Sequence, residues 1–145
     1  MGTNDSTISN LMQVLGSSLV SYAWVVRGEP ASKANSRKIA TIQGVSRLIK
    51  SSKALSYCDA FKLQAKPIHP LLHGDVRVVM MIYYASRRPD LDESLILDLL
   101  QDVAYLNDRQ VKEKHIFWGL DKDNPRAEIF VTPLTDQEKP RTGRG

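Results

Sequence analysis

The chain has 145 residues, of which 42% are hydrophobic and 25% charged, and its formal net charge is +4. This length and composition fit one folded domain, and they exclude a disordered chain and a pair of large domains. No apolar run approaches the roughly 20 residues that span a bilayer, and the N-terminus lacks a secretory signal, so we expect a cytoplasmic protein without membrane contact. Cys58 is the single cysteine, which excludes a disulfide framework.

Charge and polarity divide the chain into regions. Both ends are polar, so we expect flexible segments at residues 1–18 and 134–145 around one domain at residues 19–133. Between Arg27 and Lys66 the chain carries nine Lys or Arg against two acids, whereas the remainder holds eleven basic and fourteen acidic residues. A basic segment beside a mildly acidic remainder is typical of a nucleic-acid-binding protein that also keeps a carboxylate site.

The first half of the chain predicts a strand, a basic loop and a helix. Residues 19–26 are rich in β-branched and aromatic side chains and run into a turn at Gly28 and Pro30, which predicts a strand. Residues 31–37 have no apolar period and predict a loop, while residues 38–43 fit either a short helix or a strand. Residues 51–63 start with serine and repeat apolar residues at near-helical spacing, which predicts an amphipathic helix.

The second half predicts a strand, a helix and two further strands. Residues 75–85 are hydrophobic on both faces, as in a central strand. Pro89 interrupts regular structure, and a helix is predicted over residues 93–103, burying Leu95, Ile96, Leu99, Leu100 and Val103. Strands are predicted at residues 110–119 and 127–132, separated by a polar turn. The order of elements indicates an α+β fold, a single domain in which helices pack on a mixed β-sheet.

Two aspartates, Asp90 and Asp92, stand two residues apart before the second predicted helix. In an extended backbone such side chains point the same way, roughly 6 to 7 Å apart, so both can share a hard cation. Mg²⁺ and Mn²⁺ prefer oxygen ligands, and such an ion can hold a scissile phosphate and generate hydroxide. A purely structural interpretation is that Asp92 caps the helix while Asp90 is solvated, and the spacing alone favours it.

Asp108 follows the same helix. A helix of about ten residues carries the chain roughly 15 Å away, so Asp108 rejoins the pair only if the fold or a dimer returns it.

The sequence around these aspartates resembles that of the RusA-like Holliday junction resolvases. The likeness is carried by RRPDLDESLILDLL, YLNDRQV and NPRAEIFV, in that order, and by GEPASKANSR after the first strand. It covers residues 20–132 and implies a RusA-like fold. It also implies a homodimer that binds four-way DNA junctions and cuts them with Mg²⁺ or Mn²⁺ in recombination and repair, in a phage, a prophage or a host cell.

The resemblance implies a catalytic and metal site at Asp90, Asp92 and Asp108. Asp90 and Asp92 match the paired metal-binding aspartates of the family, and Asp108 matches the aspartate before its Gln-Val segment. The family has a catalytic lysine in the following helix, but no lysine stands there in this chain. Either another cation replaces it, for which Arg88, Arg109, Lys112 and Lys114 are the candidates, or catalysis relies on the metal alone. Glu93 either joins the metal site or only favours the first turn of the helix.

Seven residues are candidates for DNA contact. The loop after the first strand offers two cations and two short hydrogen-bonding side chains, and further arginines flank the aspartates: Lys33, Asn35, Ser36, Arg37, Arg87, Arg88 and Arg109. Two alternatives stay open. The chain is a catalytically impaired module that binds branched DNA, or it is a protein-interaction domain in which the carboxylates only cap and solubilise.

Overall fold

The computed structural model describes residues 21–32 and 37–134. These residues form six strands and two α-helices, namely β1 (Tyr22–Arg27), β2 (Arg37–Ile42), β3 (Val45–Lys50), α1 (Ser52–Gln64), β4 (Val76–Tyr84), α2 (Ser94–Leu99), β5 (Val111–Leu120) and β6 (Arg126–Pro133). A short 3-10 helix, Asp108–Gln110, precedes β5. Of the segments predicted to be flexible, residues 1–18 and 134–145, only Leu134 is described, and it is buried, with its N–H donating to the carbonyl of Asp75. No helix within the described ranges is long and apolar enough to span a membrane.

Four of the strands form one mixed sheet in the order β1-β6-β4-β5. β6 pairs antiparallel with both β1 and β4, whereas β5 runs parallel to β4. The parallel pair needs a crossover, and α2 lies within that crossover. The predicted α+β class with a mixed sheet is therefore confirmed, and β4 is an inner strand, as its apolar sequence indicates.

The main core lies on one face of this sheet. Alternate residues of β4, from Val76 to Tyr84, pack there against the buried residues of α1 and α2. α1 begins as predicted, because the Ser51 hydroxyl oxygen accepts a 3.2 Å hydrogen bond from the Ala54 N–H. Such an N-cap is worth about 1 kcal/mol. Cys58 is a buried free thiol within this core.

The second face of the sheet carries a charged network. Arg77, only 3% exposed, lies with Nε 3.1 Å from Oε2 of Glu113 on β5. The same oxygen lies 2.7 Å from Nε2 of His115. Although partial burial raises the pKa of Glu113, the hydrogen bond with His115 and the charge of Arg77 outweigh it and hold that pKa below its usual value. Glu113 is therefore held as a carboxylate in the middle of a three-residue cluster.

A separate hairpin departs from the sequence-based expectation. β2 and β3 pair only with each other, in a two-stranded antiparallel sheet. Gln43 and Gly44 join them with φ of 53° and 79°, both in the left-handed region used by two-residue hairpin turns. Strand β2 resolves the choice between helix and strand at residues 38–43, and Arg37 is its first residue rather than the end of a loop. β3 is not predicted at all.

The second helix is shorter than predicted. It spans Ser94–Leu99 rather than residues 93–103. Asp102 adopts a φ of 69° and its N–H donates to the carbonyl of Tyr105, which turns the chain out of helical geometry. Leu100 and Val103 are nevertheless buried as expected, whereas Leu99 is only half-buried. The apolar spacing thus reflects a helix that continues into a buried turn.

Candidate functional site

Asp90 and Asp92 lie on the connection between β4 and α2, residues 85–93, here called the aspartate loop. Its start is fixed by the Ala85 N–H, which donates a 2.8 Å hydrogen bond to Oε2 of Glu29. Its middle is fixed by Trp118 on β5, whose Nε1 donates a 3.3 Å hydrogen bond to the Pro89 carbonyl. The loop is therefore attached to the sheet immediately before Asp90.

Asp92 hydrogen-bonds to the first residue of α2 but is not its N-cap, although the sequence had suggested that role. Its Oδ1 accepts hydrogen bonds from the Ser94 N–H at 2.9 Å and from the Ser94 hydroxyl at 2.6 Å. The backbone N-cap position belongs to Glu93, one residue later than predicted, and its side chain makes no capping hydrogen bond. Hydrogen bonding to Ser94 engages one oxygen of Asp92 and fixes the orientation of its carboxyl group, which is compatible with a second role. Asp90 is exposed.

Tyr84, the last residue of β4, forms a hydrogen bond with the backbone of Asp92. Its hydroxyl oxygen accepts a 3.2 Å hydrogen bond from the Asp92 N–H. Its ring stacks on Trp118 with a centroid distance of 6.1 Å. Burial raises the pKa of Tyr84, although the hydrogen bond from Asp92 opposes the shift, so the hydroxyl stays protonated in ordinary buffers. Tyr84 and Trp118 together fix the position of the aspartate loop.

Asp108 lies in a turn that is fixed from several directions. Its N–H donates a 3.2 Å hydrogen bond to Oε1 of Gln101. Gln110 accepts hydrogen bonds from two backbone N–H groups through Oε1, while its Nε2 donates to the carbonyls of Leu72 and Gly74 at 2.8 Å. Asn107 and Gln110 form a reciprocal capping box around the 3-10 helix. The backbone that carries Asp108 is consequently well defined.

A cleft of about 250 Å³ separates α2 from the start of β5. Lys114 lines this cleft and donates a 2.6 Å hydrogen bond from Nζ to Oε2 of Glu93. α2 is only six residues long, about 9 Å, and residues 100–107 connect it to Asp108. Lys114 therefore connects the residue after Asp92 to the cleft that Asp108 shares. The lining residues are Leu97, Asp108, Val111, Lys112, Glu113 and Lys114.

The acidic residues here have the donor chemistry of a magnesium or manganese site, because their ligand atoms are all carboxylate oxygens. Across the described ranges, however, no group of three or more His, Cys, Asp or Glu side chains is arranged to hold a metal ion. A joint metal site of Asp90, Asp92 and Asp108 therefore stays a prediction. Glu93 forms an ion pair with Lys114. This contact does not decide between the two roles expected for Glu93, as a metal ligand or as an acidic residue that favours the first turn of the helix.

The predicted DNA contacts are spread over several places. Lys33, Asn35 and Ser36 lie outside the described residues, and of Arg37 only the backbone at the start of β2 is described. Arg87 and Arg88 are exposed on the aspartate loop, and Arg109 is exposed on the 3-10 helix beside Asp108. Two arginines therefore accompany Asp90 and Asp92, and one accompanies Asp108.

Three supporting residues are missed by the sequence-based reasoning: Tyr84, Trp118 and Gln110. Tyr84 and Trp118 look like ordinary apolar strand residues, because their partners are backbone groups distant in sequence. Gln110 has a local signal, since Asn followed three residues later by Gln is the spacing of a capping box.

Searches against protein-family models and against curated proteins found no match to this chain. The resemblance to RusA-like resolvases therefore stays a prediction from the sequence segments that carry it.

Proposed function

We propose that this protein is a metal-dependent endonuclease of RusA-like fold that hydrolyses phosphodiesters in four-way or related branched DNA, acting as a homodimer in recombination and repair. The observation that carries the proposal is the Lys114–Glu93 hydrogen bond of 2.6 Å, which connects the aspartate loop to the cleft lined by Asp108. This hydrogen bond places the Lys114 ammonium group beside Glu93 at the end of the aspartate loop. Asp108, which follows Glu93 by 15 residues, lines the same cleft as Lys114.

In this proposal Asp90, Asp92 and Asp108 would hold Mg²⁺ or Mn²⁺. The ion would polarise the phosphodiester and supply hydroxide at neutral pH. Tyr84 and Trp118 keep the aspartate loop in place, so little reorganisation is needed when the substrate binds.

Lys114 is the cation best placed to replace the missing helix lysine. Phosphodiester hydrolysis adds negative charge at the reacting phosphate, and a preorganised cation stabilises that charge. Lys114 is half exposed and already lies against Glu93, whereas Arg88 and Arg109 extend from exposed turns. Lys112 lines the same cleft two residues earlier and is a second basic contact for the phosphate backbone.

A branched-DNA-binding module without catalysis is the second candidate. It is favoured by residues 93–103, which contain no lysine where the resemblance implies a catalytic one. It predicts junction binding without any cleavage product in Mg²⁺ or Mn²⁺.

The decisive experiment incubates a labelled four-way junction, or a linear duplex of matched sequence, with the protein in Mg²⁺, Mn²⁺ or EDTA. We expect metal-dependent paired nicks in the junction only. Asp90→Asn should abolish cutting and preserve or strengthen junction binding, because a negative charge near phosphate is removed.

Asp59→Asn is the matched control, since Asp59 is an exposed aspartate on α1. It should cut at the normal rate. If Asp90→Asn also cuts at the normal rate, the proposed site is wrong. Junction binding with no product under any metal condition would instead identify the non-catalytic module.

A further inference from the structure

The β2–β3 hairpin, residues 37–50, is here called the hairpin arm. Its six paired residues per strand extend about 20 Å. Within the described chain its strands hydrogen-bond only to each other, and nearly all of its side chains are exposed on both faces. A two-stranded hairpin without a packed face is only marginally stable by itself. The sequence of the hairpin arm therefore requires an explanation other than folding stability.

The hairpin arm exposes apolar side chains that would ordinarily be buried. Ile39 is 75% exposed and lies opposite Leu48, which is 61% exposed. Val45 is 52% exposed and lies opposite Ile42 beside the turn. The two pairs lie on opposite faces of the arm, and exposed apolar residues on a hairpin without a packed face indicate contact with a partner.

The charges on the hairpin arm all have one sign. Between Glu29 and Asp59 the chain contains no acidic residue. Lys38, Arg47 and Lys50 are exposed on the arm itself. In the antiparallel register Arg47 lies opposite Ala40, so it shares a face with the Ile42–Val45 pair. The arm is therefore complementary to a polyanion, and a like-charged arm of a second copy would be repelled.

We propose that the hairpin arm is a nucleic-acid-binding ribbon that lies in a groove of duplex DNA. The major groove is about 12 Å wide and admits a two-stranded β-ribbon, whose strands are about 5 Å apart. The three cations contact phosphates, while Ile42 and Val45 at the tip make apolar contacts with sugars and thymine methyl groups. The inference rests on the proposed function and deepens it, because it assigns binding of the DNA substrate to an element separate from the aspartates.

The test measures binding of a fluorescent duplex and a four-way junction in EDTA, so that no cleavage is required. The arm variant combines Lys38→Ala, Arg47→Ala and Lys50→Ala. The matched control removes three exposed lysines elsewhere, Lys62→Ala, Lys66→Ala and Lys122→Ala. Both variants lower the net charge by three, so they differ only in position.

We expect the arm variant to bind at least about tenfold more weakly than the control at about 0.1 M salt, and to lose up to about 2.7 from the slope of log affinity against log salt, at about 0.9 for each lost phosphate contact. Equal affinities and slopes for the two variants would overturn the proposal. So would a change from dimer to monomer with unchanged DNA affinity, since the hairpin arm would then be an interface between copies.

Ile42→Ser with Val45→Ser tests the apolar tip. This variant should weaken binding while the salt slope stays at the wild-type value, because no phosphate contact is removed. Unchanged affinity would exclude the tip from the DNA interface and contradict the groove geometry. Thermal unfolding should be unaltered in every arm variant, since the arm contributes no fully buried residue to the core.

Failure of this proposal and failure of the proposed function are separable. If the arm variant loses DNA binding but the wild-type protein cuts nothing, the hairpin arm stands and the nuclease does not. If Asp90→Asn abolishes cutting but the arm variant binds normally, the nuclease stands and the hairpin arm does not.

Discussion

Lys114 donates a 2.6 Å hydrogen bond to Glu93 and so ties β5 to the residue at which α2 begins. The lysine side chain is 50% exposed and the glutamate 17%. An ion pair so accessible to water contributes only about 0 to 1 kcal/mol to folding. The Lys114–Glu93 pair is therefore better explained by the position it gives to the Lys114 ammonium group than by its contribution to folding stability.

Lys114→Gln should separate activity from stability. We expect the cleavage rate to fall by about two orders of magnitude, because a preorganised charge at the reacting phosphate is lost. The melting temperature should change by no more than a few degrees. Single-turnover cleavage and thermal unfolding measure the two quantities, with Lys122→Gln as the exposed control and Lys114→Arg as a partial rescue. A normal cleavage rate in Lys114→Gln would show that Lys114 takes no part in the reaction.

Tyr84→Phe removes only the hydroxyl that accepts a hydrogen bond from the Asp92 N–H. The loss should cost about 1 kcal/mol of unfolding free energy and slow cleavage about tenfold, because the aspartate loop is less firmly positioned. Tyr57→Phe is the control, since the buried Tyr57 hydroxyl has no hydrogen-bond partner among the described residues. That variant should be neutral or slightly more stable. Equal effects from both substitutions would contradict a positioning role for Tyr84.

Gly119→Ala tests the packing of the second sheet face. A Cβ at this position would lie 2.7 Å from Cδ1 of Tyr83, well inside contact distance. We expect the free energy of unfolding to fall by about 1 to 3 kcal/mol, as in other overpacked sites. Gly74→Ala meets no atom within 4 Å and should change stability far less. Denaturant unfolding of both variants makes the comparison, and an equally stable Gly119→Ala would show that the Tyr83 ring moves freely.

Glu113 should give the protein an acid-sensitive component of stability. Its pKa lies below the usual value of about 4.5, because the hydrogen bond with His115 and the charge of Arg77 outweigh the effect of partial burial. The folded state then binds the proton less well than the unfolded state. The stabilisation is present above about pH 4.5 and is lost as the pH falls through the lower, folded pKa.

The measurement is the melting temperature of wild type and Glu113→Gln as a function of pH. The difference between them should be largest at neutral pH and should shrink on acidification below about pH 4.5. A difference that stays constant down to strongly acidic pH would contradict the assignment.

Sequence patterns predicted most of the sheet and little of the site geometry. The inner strand β4 is recognisable because its run of apolar residues is long and unbroken. The Ser51 cap marks the start of α1 just as clearly. Each of these signals comes from residues that are close together in the sequence, so it can be recognised without knowledge of the fold.

Other features depend on tertiary structure. α2 ends early because Asp102 and Tyr105 form a turn whose buried residues keep a helical spacing. The Gln43-Gly44 turn lacks the usual Asn-Gly signal of a hairpin, so β3 was missed. The Lys114–Glu93 contact joins residues 21 positions apart and is set by strand register, which sequence spacing does not reveal.

The place of β6 in the sheet has a consequence for synthesis on the ribosome. β6 is the last strand described, yet it lies between β1 and β4 and hydrogen-bonds to both. A nascent chain that has released β1, α1 and β4 still lacks the strand that joins them. Until residue 133 emerges, the edges of β1 and β4 stay open as templates for wrong pairing. Translation is thus the stage at which this sheet is most exposed to aggregation and most dependent on chaperones.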